Sequence, residues 1–329
     1  MANIIYEQLF EQTESFKQLK NEGKLVKTLW KGKSSENSYC FNVGIKTPSN
    51  TKEYKNSLLQ TIKLNFGITN SAFDEKFKKA IGGAGQEWRR LHVFHSSSLL
   101  TLLCFYNVSE KSPLTITIEG KVCCFTESEF ECENLIGENK ENKPYYSYVD
   151  VKLSGKRDDG QSVTLYLESK FSEYVNHRGS CKFPNTDDYK DIYEKLDGKI
   201  DNLKITIEND QISLTQTDRK RPAQYWKGIK QMVSHYLGMR HCNNTSENIY
   251  LGEIVYDFST YNKIAQAKEY FDNYKGIHKQ LAKELNSIKT TSQNVKVIEN
   301  LLTYQEVFKG YKLDELVRKH YLLTNSERG

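Results

Sequence analysis

Two short runs, "YSYVDVKLS" (146–154) and "SVTLYLESKF" (162–171), set three ionisable side chains, Asp150, Glu168 and Lys170, inside otherwise apolar strands. Strand side chains alternate faces, so parity can be read directly. Val149, Val151 and Leu153 form one apolar face, with Asp150 on the other. Val163, Leu165, Leu167 and Phe171 do the same in the second run, where Glu168 and Lys170 share the opposite face. If "GKRDDGQ" closes a hairpin centred near Asp159, Asp150 falls opposite Glu168. Paired strands lie ~4.8 Å apart, so two carboxylates and an ammonium converge. Acids that close repel unless a cation sits between them. Mg²⁺ takes hard oxygen ligands, one or two of them carboxylates, with water and substrate phosphate completing the shell. A lysine two positions along the strand can orient or deprotonate a water for attack on phosphorus. The chemistry outlined is metal-assisted phosphodiester hydrolysis.

The Glu-x-Lys pattern by itself has little specificity. It occurs six times, starting at Glu22, Glu53, Glu119, Glu138, Glu141 and Glu168. Only the last lies in an aliphatic strand with an acid on the strand before it. The competing reading is a solvated strand face, charges outward and valines inward.

The elements that must position these residues can be traced along the chain. Residues 1–110 read as mainly helical, with helical spacing at Ile5, Leu9 and Phe16 and again at Leu58, Leu59 and Ile62. In "FHSSSLLTLLCFYNV" serines precede an apolar run, the pattern of an N-cap and a buried helix. From about 114 strands take over, in "LTITIEG", "KVCCFTESEFECENLI" and the two site runs, and "LKITIENDQISLTQ" reads as a hairpin turning at Asn209-Asp210. "RPAQYWKGIKQMVSHYLGM" is a helix with Pro222 at its first position and Trp226, Ile229, Val233 and Leu237 on one stripe. The strand "NIYLGEIVYDF", a long helix carrying Ile264, Phe271, Tyr274, Leu281 and Leu285, and a last helix through "LDELVRKHYLL" follow. This order predicts an α/β arrangement with a mixed sheet. The division expected is a mainly helical region over 1–110 and a core with C-terminal helices over 111–329, possible also as one continuous domain.

Composition narrows the class. A chain of 329 residues with 12% aromatics, including 21 Tyr and 15 Phe, can bury a large core. Forty-seven Lys and Arg against 42 Asp and Glu leave +5, which permits a polyanionic partner only through a local basic surface. The seven cysteines show neither CxxC pairing nor metal-knuckle spacing and read as free thiols of a reducing cytoplasm. No run approaches the ~20 apolar residues of a membrane span, and "MANIIYEQLFEQ" lacks a signal-peptide pattern. A cytoplasmic protein without a membrane partner is expected.

At the site runs, "VDVKL…LYLESKF" resembles the acid-strand and Glu-x-Lys-strand signature of the PD-(D/E)XK nuclease superfamily, the restriction-endonuclease-like fold. More narrowly, "FHSSSLLTLLCFYNV", "LESKFSEY" and "QYWKGIKQMVSHY" are similar to a bacterial family of restriction-endonuclease type, over roughly residues 30–310. The resemblance implies a central mixed sheet flanked by helices. It implies Asp150 and Glu168 as metal ligands, helped by the Ser169 carbonyl, and Lys170 serving the attacking water. Val149 stands where the superfamily's name has proline. An additional acid is implied from an earlier element, Glu131 or Glu133, with Glu131 preferred and Glu36 a weaker candidate. A polar residue from the following helix is implied too, and Gln224 fits, with Lys227 one turn on.

Arg219, Lys220 and Arg221 precede that helix and would sit well beside phosphates, as would Lys76, Lys78, Lys79, Arg89 and Arg90; a solvated face is the plainer reading of each run. His92, His95, His177, His235 and His241 have no H-x-x-x-H or HNH-like partner and read as satisfied core or surface histidines. "GGAG" (82–85) lacks the Lys-Ser/Thr of a phosphate-cradling loop. The function expected is a Mg²⁺-dependent endodeoxyribonuclease, with Mn²⁺ able to substitute. Its partners would be double-stranded DNA, a second copy of the chain if a symmetric site is cut on both strands, and a cognate methyltransferase if it restricts. A repair, recombination or RNA-directed nuclease and a non-catalytic nucleic-acid-binding protein are the competing expectations.

Overall fold

A computed structural model of the chain describes residues 9–27, 38–45, 49–82, 89–138, 142–175, 179–221, 224–239, 248–260, 265–288 and 295–323. The alternating runs form strands β3 (Leu114–Ile118), β4 (Lys121–Glu138), β5 (Pro144–Arg157) and β6 (Ser162–Lys170), an antiparallel meander. The β5–β6 register pairs Lys156 with Ser162 and Val151 with Leu167, which centres the turn on Asp159 as the sequence predicts. Strand β10 (Asn248–Val255) then runs parallel to β6 and carries short parallel strands β11 (Val295–Val297) and β12 (Leu302–Thr303) on its far side. The result is a seven-stranded mixed sheet, flanked by helices on both faces. A parallel neighbour requires a long crossover. Here it holds β7 (Ser180–Pro184), α5 (Asp187–Leu196), the hairpin β8 (Leu203–Glu208) with β9 (Gln211–Gln216), and α6 (Trp226–Met239). The hairpin turns at Asn209-Asp210 as expected, and β7 adds a third strand that the sequence did not announce.

Strand β6 is the axis of the molecule, because every residue from Val163 to Lys170 is buried. One face of the sheet packs on α2 (Lys52–Phe66), α3 (Ala72–Gly82) and α4 (Ser97–Phe105), together with α8 (Tyr304–Val307) and α9 (Glu315–His320). Helix α4 follows its sequence pattern: Ser96 Oγ accepts from the Leu99 N–H, and Leu99 to Phe105 are all buried. The N-terminal region also contains α1 (Glu14–Asn21) and a two-stranded ladder, β1 (Leu25–Lys27) with β2 (Tyr39–Phe41), so it is not helical throughout. It shares its core with the chain's last helices: Tyr321 stacks on Phe94 at 5.1 Å and on Phe66 at 5.9 Å, and His320 joins Ser15 to the Asn65 carbonyl.

The other face packs on α5, α6 and the C-terminal half of α7 (Ala265–Ser287). Trp226, Ile229, Val233 and Leu237 are buried there, as the stripe predicts, although the helix begins at Trp226 and Pro222 lies outside the described residues. A Cβ at Gly238 would stand 2.6 Å from Ser147 Oγ and 2.9 Å from Asn134 Cβ, so glycine is what lets α6 close onto β4 and β5. No described helix is long and apolar enough to cross a membrane.

Candidate active site

Strand β6 delivers Glu168 and Lys170 to the face covered by α6, and β5 brings Asp150 alongside. Glu168 is 3% exposed and Lys170 2%. Glu168 Oε1 accepts from the Lys170 ammonium and, at 2.6 Å, from the Gln231 amide; Oε2 lies 2.8 Å from His235 Nε2. Burial alone would raise the Glu168 pKa, but Lys170 and then His235 outweigh it and hold the carboxyl down at about 2. For Lys170, burial favours the neutral amine; Glu168, with lesser help from Tyr225 and Asp150, reverses this and keeps the ammonium protonated above its usual range. Asp150 behaves oppositely. Its Oδ2 accepts from the Ser169 N–H at 2.7 Å, yet burial, and then the negative charge of Glu168, push its carboxyl well above the carboxylate range. Glu131 adds to that upward push.

The site therefore joins two carboxyls, Asp150 and Glu168, to one lysine, and the charge of Glu131 bears on Asp150. The β4–β5 ladder keeps its register across this point, with Phe130 facing Val151 and Cys132 facing Val149. Glu131 nevertheless takes a left-handed φ of 51°, a conformation that costs a non-glycine residue about 1 kcal/mol or more. Parity fails at the same place. Val151 and Leu153 pack on the α4 side, whereas Val149 packs under α6. The expectation that all three valine-type positions share one face is corrected here, because β5 turns over at Asp150.

Helix α6 contributes differently from expectation. Gln224 is buried, but its amide oxygen accepts from Asn202 at 3.0 Å and its backbone N–H donates to Gln216, outside the helix proper. Gln231 and His235, one turn apart on the inward face, are the α6 side chains that reach Glu168. His235 is a buried histidine of the site, with Nδ1 lacking a hydrogen-bond partner. The signal available in the sequence was the spacing of two polar residues by four within an apolar helix.

A second acid was also missed. In the parallel ladder Glu253 of β10 stands level with Glu168, and it is 2% exposed. Tyr274 donates to its Oε1 and His278 Nδ1 lies 2.9 Å from Oε2, while His278 Nε2 meets the Ile298 carbonyl at 2.8 Å. A carbonyl only accepts, so Nε2 is the ring nitrogen that donates there, which leaves Nδ1 facing Glu253.

The remaining predicted residues lie at the rim or beyond. Arg219, Lys220 and Arg221 are exposed between β9 and α6, Arg221 lying 3.6 Å from Asp218. Lys227 is exposed on the first turn of α6, where partial burial and then the charges of Arg90, Lys170 and Lys230 push its ammonium down. Lys78, Lys79, Arg89 and Arg90 are exposed, and Lys76 donates to the Ser128 carbonyl, tying α3 to β4. Glu133 accepts from Tyr148 at 3.1 Å. His92 is a core residue; Glu36, His177 and His241 lie outside the described residues.

Hard oxygens from two carboxylates and a carbonyl are a donor set that suits Mg²⁺. Asp150, pushed up by burial and then by the charge of Glu168, is the carboxyl that a cation would relieve most. Glu168 Oε1 is taken by Lys170 and Gln231, so Oε2, which meets only His235 among the described residues, is the oxygen with room for a cation. Among the described residues no three ligating side chains stand ready grouped as a metal centre. Comparison with family models, with curated proteins and with solved structures finds no match to this chain.

Proposed function

We propose that the chain is a Mg²⁺-dependent endodeoxyribonuclease of restriction or defence type, with a restriction-endonuclease-like core. The observation that carries this reading is the meeting of Asp150, Glu168 and Lys170 at the junction of β5, β6 and α6, with the charge of Glu131 bearing on Asp150. Asp150, Glu168 and the Ser169 carbonyl would hold the metal. That ion would supply Lewis-acid charge neutralisation at phosphate and a more acidic bound water. Lys170, kept protonated by Glu168, serves as a fixed cation against the charge that develops on phosphorus and orients the attacking water rather than deprotonating it. Gln231 and His235 hold Glu168 in place. Glu131 extends the acidic side, and Lys227 with Arg219, Lys220 and Arg221 supplies cations for backbone phosphates. A second copy of the chain and a methyltransferase belong to this reading as partners.

The test is incubation of the protein with plasmid DNA, with Mg²⁺, Mn²⁺ or EDTA, beside Lys170→Ala and the near-isosteric Asp150→Asn. Discrete fragments from the wild type alone, abolished by EDTA, are expected. Folded wild type that cleaves no duplex, single-stranded or RNA substrate with any divalent metal would overturn it, leaving a binding protein whose ionic cluster only fixes the core.

A further inference from the structure

The crossover between β6 and β10 builds a small sheet of its own, in the order β7-β9-β8. Its inward positions, Phe183, Ile212, Leu214, Leu203 and Ile205, are buried with the apolar residues of α5 and α6. The outward positions alternate with them, as the pleat requires: Ser180 and Lys182 on β7, Ser213 and Thr215 on β9, Lys204 and Thr206 on β8. Register sets Lys182, Ser213 and Thr206 in one row across the ladder and Ser180, Thr215 and Lys204 in the next. All six are exposed or half-exposed, and each can donate a hydrogen bond. The lysines stand on the two outer strands and flank a strip of hydroxyls about 10 Å across. Lysine, serine and threonine are among the side chains that proteins set against phosphate oxygens, where they fix position without reading sequence.

Charge is graded along this sheet. The turn end carries Glu208 and Asp210, whereas the end with Lys204 runs on from β9 into Arg219, Lys220 and Arg221. Gln216 braces that loop: its Nε2 donates to the Asp218 carbonyl at 2.7 Å and to the Arg221 carbonyl at 3.0 Å, and its Oε1 accepts from the Gln224 N–H. Helix α6 starts two residues later, and Lys227 in its first turn lies one turn before Gln231, the donor to Glu168. Lys230, over the Phe183 ring at 5.9 Å, ties β7 to the same helix. Arg221 has Asp218 at 3.6 Å, but among the described residues Lys182, Lys204, Arg219, Lys220 and Lys227 have no ion-pair partner. No outward position of the three strands is aromatic, so the face gives an unpaired base nothing to stack on. What it can meet is a phosphate backbone whose bases are stacked elsewhere, as in a duplex.

We propose that the outer face of β7, β9 and β8, with Lys182 and Lys204 as its cations, grips the phosphate backbone of duplex DNA and leads it past Arg219, Lys220, Arg221 and Lys227 toward Asp150 and Glu168. The inference deepens the nuclease reading and rests on it for the choice of polyanion. The contact is with phosphate alone, so it adds affinity at any sequence and weakens with salt.

The experiment is binding without turnover: fluorescence anisotropy of a labelled DNA duplex in EDTA, repeated at salt concentrations from about 50 to 200 mM. Lys182→Gln and Lys204→Gln should each lower affinity roughly 5- to 10-fold at about 100 mM salt and flatten the slope of log K against log salt by about 0.9. The double variant should flatten it by about twice that. Lys182→Arg and Lys204→Arg should retain affinity and slope, because the charge is what is used. Lys190→Gln, exposed on α5 behind the sheet, is the control and should change neither. All these positions are exposed, and thermal melts check that each variant is folded. A double variant with the wild-type slope overturns the proposal, as does a wild type that binds no duplex at the lowest salt or prefers the matching single strand. A lysine-dependent slope with no cleavage under any metal would sustain the face and remove the nuclease reading. Plasmid cleavage with a slope indifferent to both lysines would do the reverse.

Discussion

Replacing Lys170 and Glu168 separately and together tests whether the site is the tightly coupled buried group described above. The two side chains are 3% and 4% exposed. Lys170→Met leaves the Glu168 carboxylate buried with Gln231 at 2.6 Å and His235 at 2.8 Å as its remaining donors. Breaking a buried pair by removing one partner costs about 3–5 kcal/mol, and those two donors place this variant near the lower figure. Glu168→Gln leaves the buried ammonium without its paired carboxylate and turns an amide NH₂ against one of three donors. Its loss should stand near the upper figure. The double variant removes both charges, and well-packed replacements of a buried pair are often neutral, so its stability should return to within about 2 kcal/mol of wild type. The interaction energy expected from the cycle is therefore about 5 kcal/mol or more. Urea unfolding at pH 7, with m-values checked for constancy, gives all four stabilities. Single variants that each lose under about 1 kcal/mol and simply add would refute the reasoning, because they would mean that the pair is solvated.

Other expectations follow from particular contacts. His92 and His320 are buried, and burial lowers each pKa from 6.5 to about 4. Below pH 6.5 the unfolded chain takes up protons that the folded one refuses until about pH 4, so stability is full above 6.5 and is lost as pH falls through that window. The loss approaches about 3 kcal/mol per ring. His92→Leu should flatten the dependence of Tm on pH between 7 and 4.5, and an unchanged slope would count against it. Gly238→Val should lift α6 off β4 and β5 and lower both Tm and any cleavage rate, because its Cβ would meet Ser147 Oγ at 2.6 Å. Gly276→Ala, on α7 with nothing near its added methyl, should raise stability by about 0.5–1 kcal/mol in the same thermal melt. Glu131→Asn should keep or raise stability, since asparagine tolerates a φ of 51°, while slowing cleavage if the carboxylate is used; a drop of several degrees in Tm would contradict it.

Much of this architecture could be read from local pattern. Period-two alternation located β3 to β6, and the turn residues around Asp159 fixed the register that brings Asp150 to Glu168. Both are properties of neighbouring residues. What escaped depends on distant ones. Glu253 stands level with Glu168 only because β10 returns parallel to β6 after a crossover of some eighty residues, and no periodicity in "NIYLGEIVYDF" encodes that register. Gln231 and His235 become site residues because α6 lies over the end of β6. Gln224, nearer the start of the same segment, was drawn to Asn202 instead. The turn of β5 at Asp150 was hidden because parity assumes a regular strand, and Glu131 opposite is not regular.

The sharing of one core between the first helices and the last has a consequence for how the protein is made. Tyr321, His320 and Tyr304 close packing around Phe94, Phe66, Asn65 and Thr101, partners more than two hundred residues earlier. Tyr304 also bonds the hydroxyl of Ser169, between the two site residues of β6. A chain emerging from the ribosome therefore holds its N-terminal third without its final packing until synthesis has passed Tyr321. Contacts of such long separation form late and slowly. The site is fully seated only once Tyr304 has been made, and a chain truncated before α8 would carry every site residue while lacking the contact that holds Ser169 of β6.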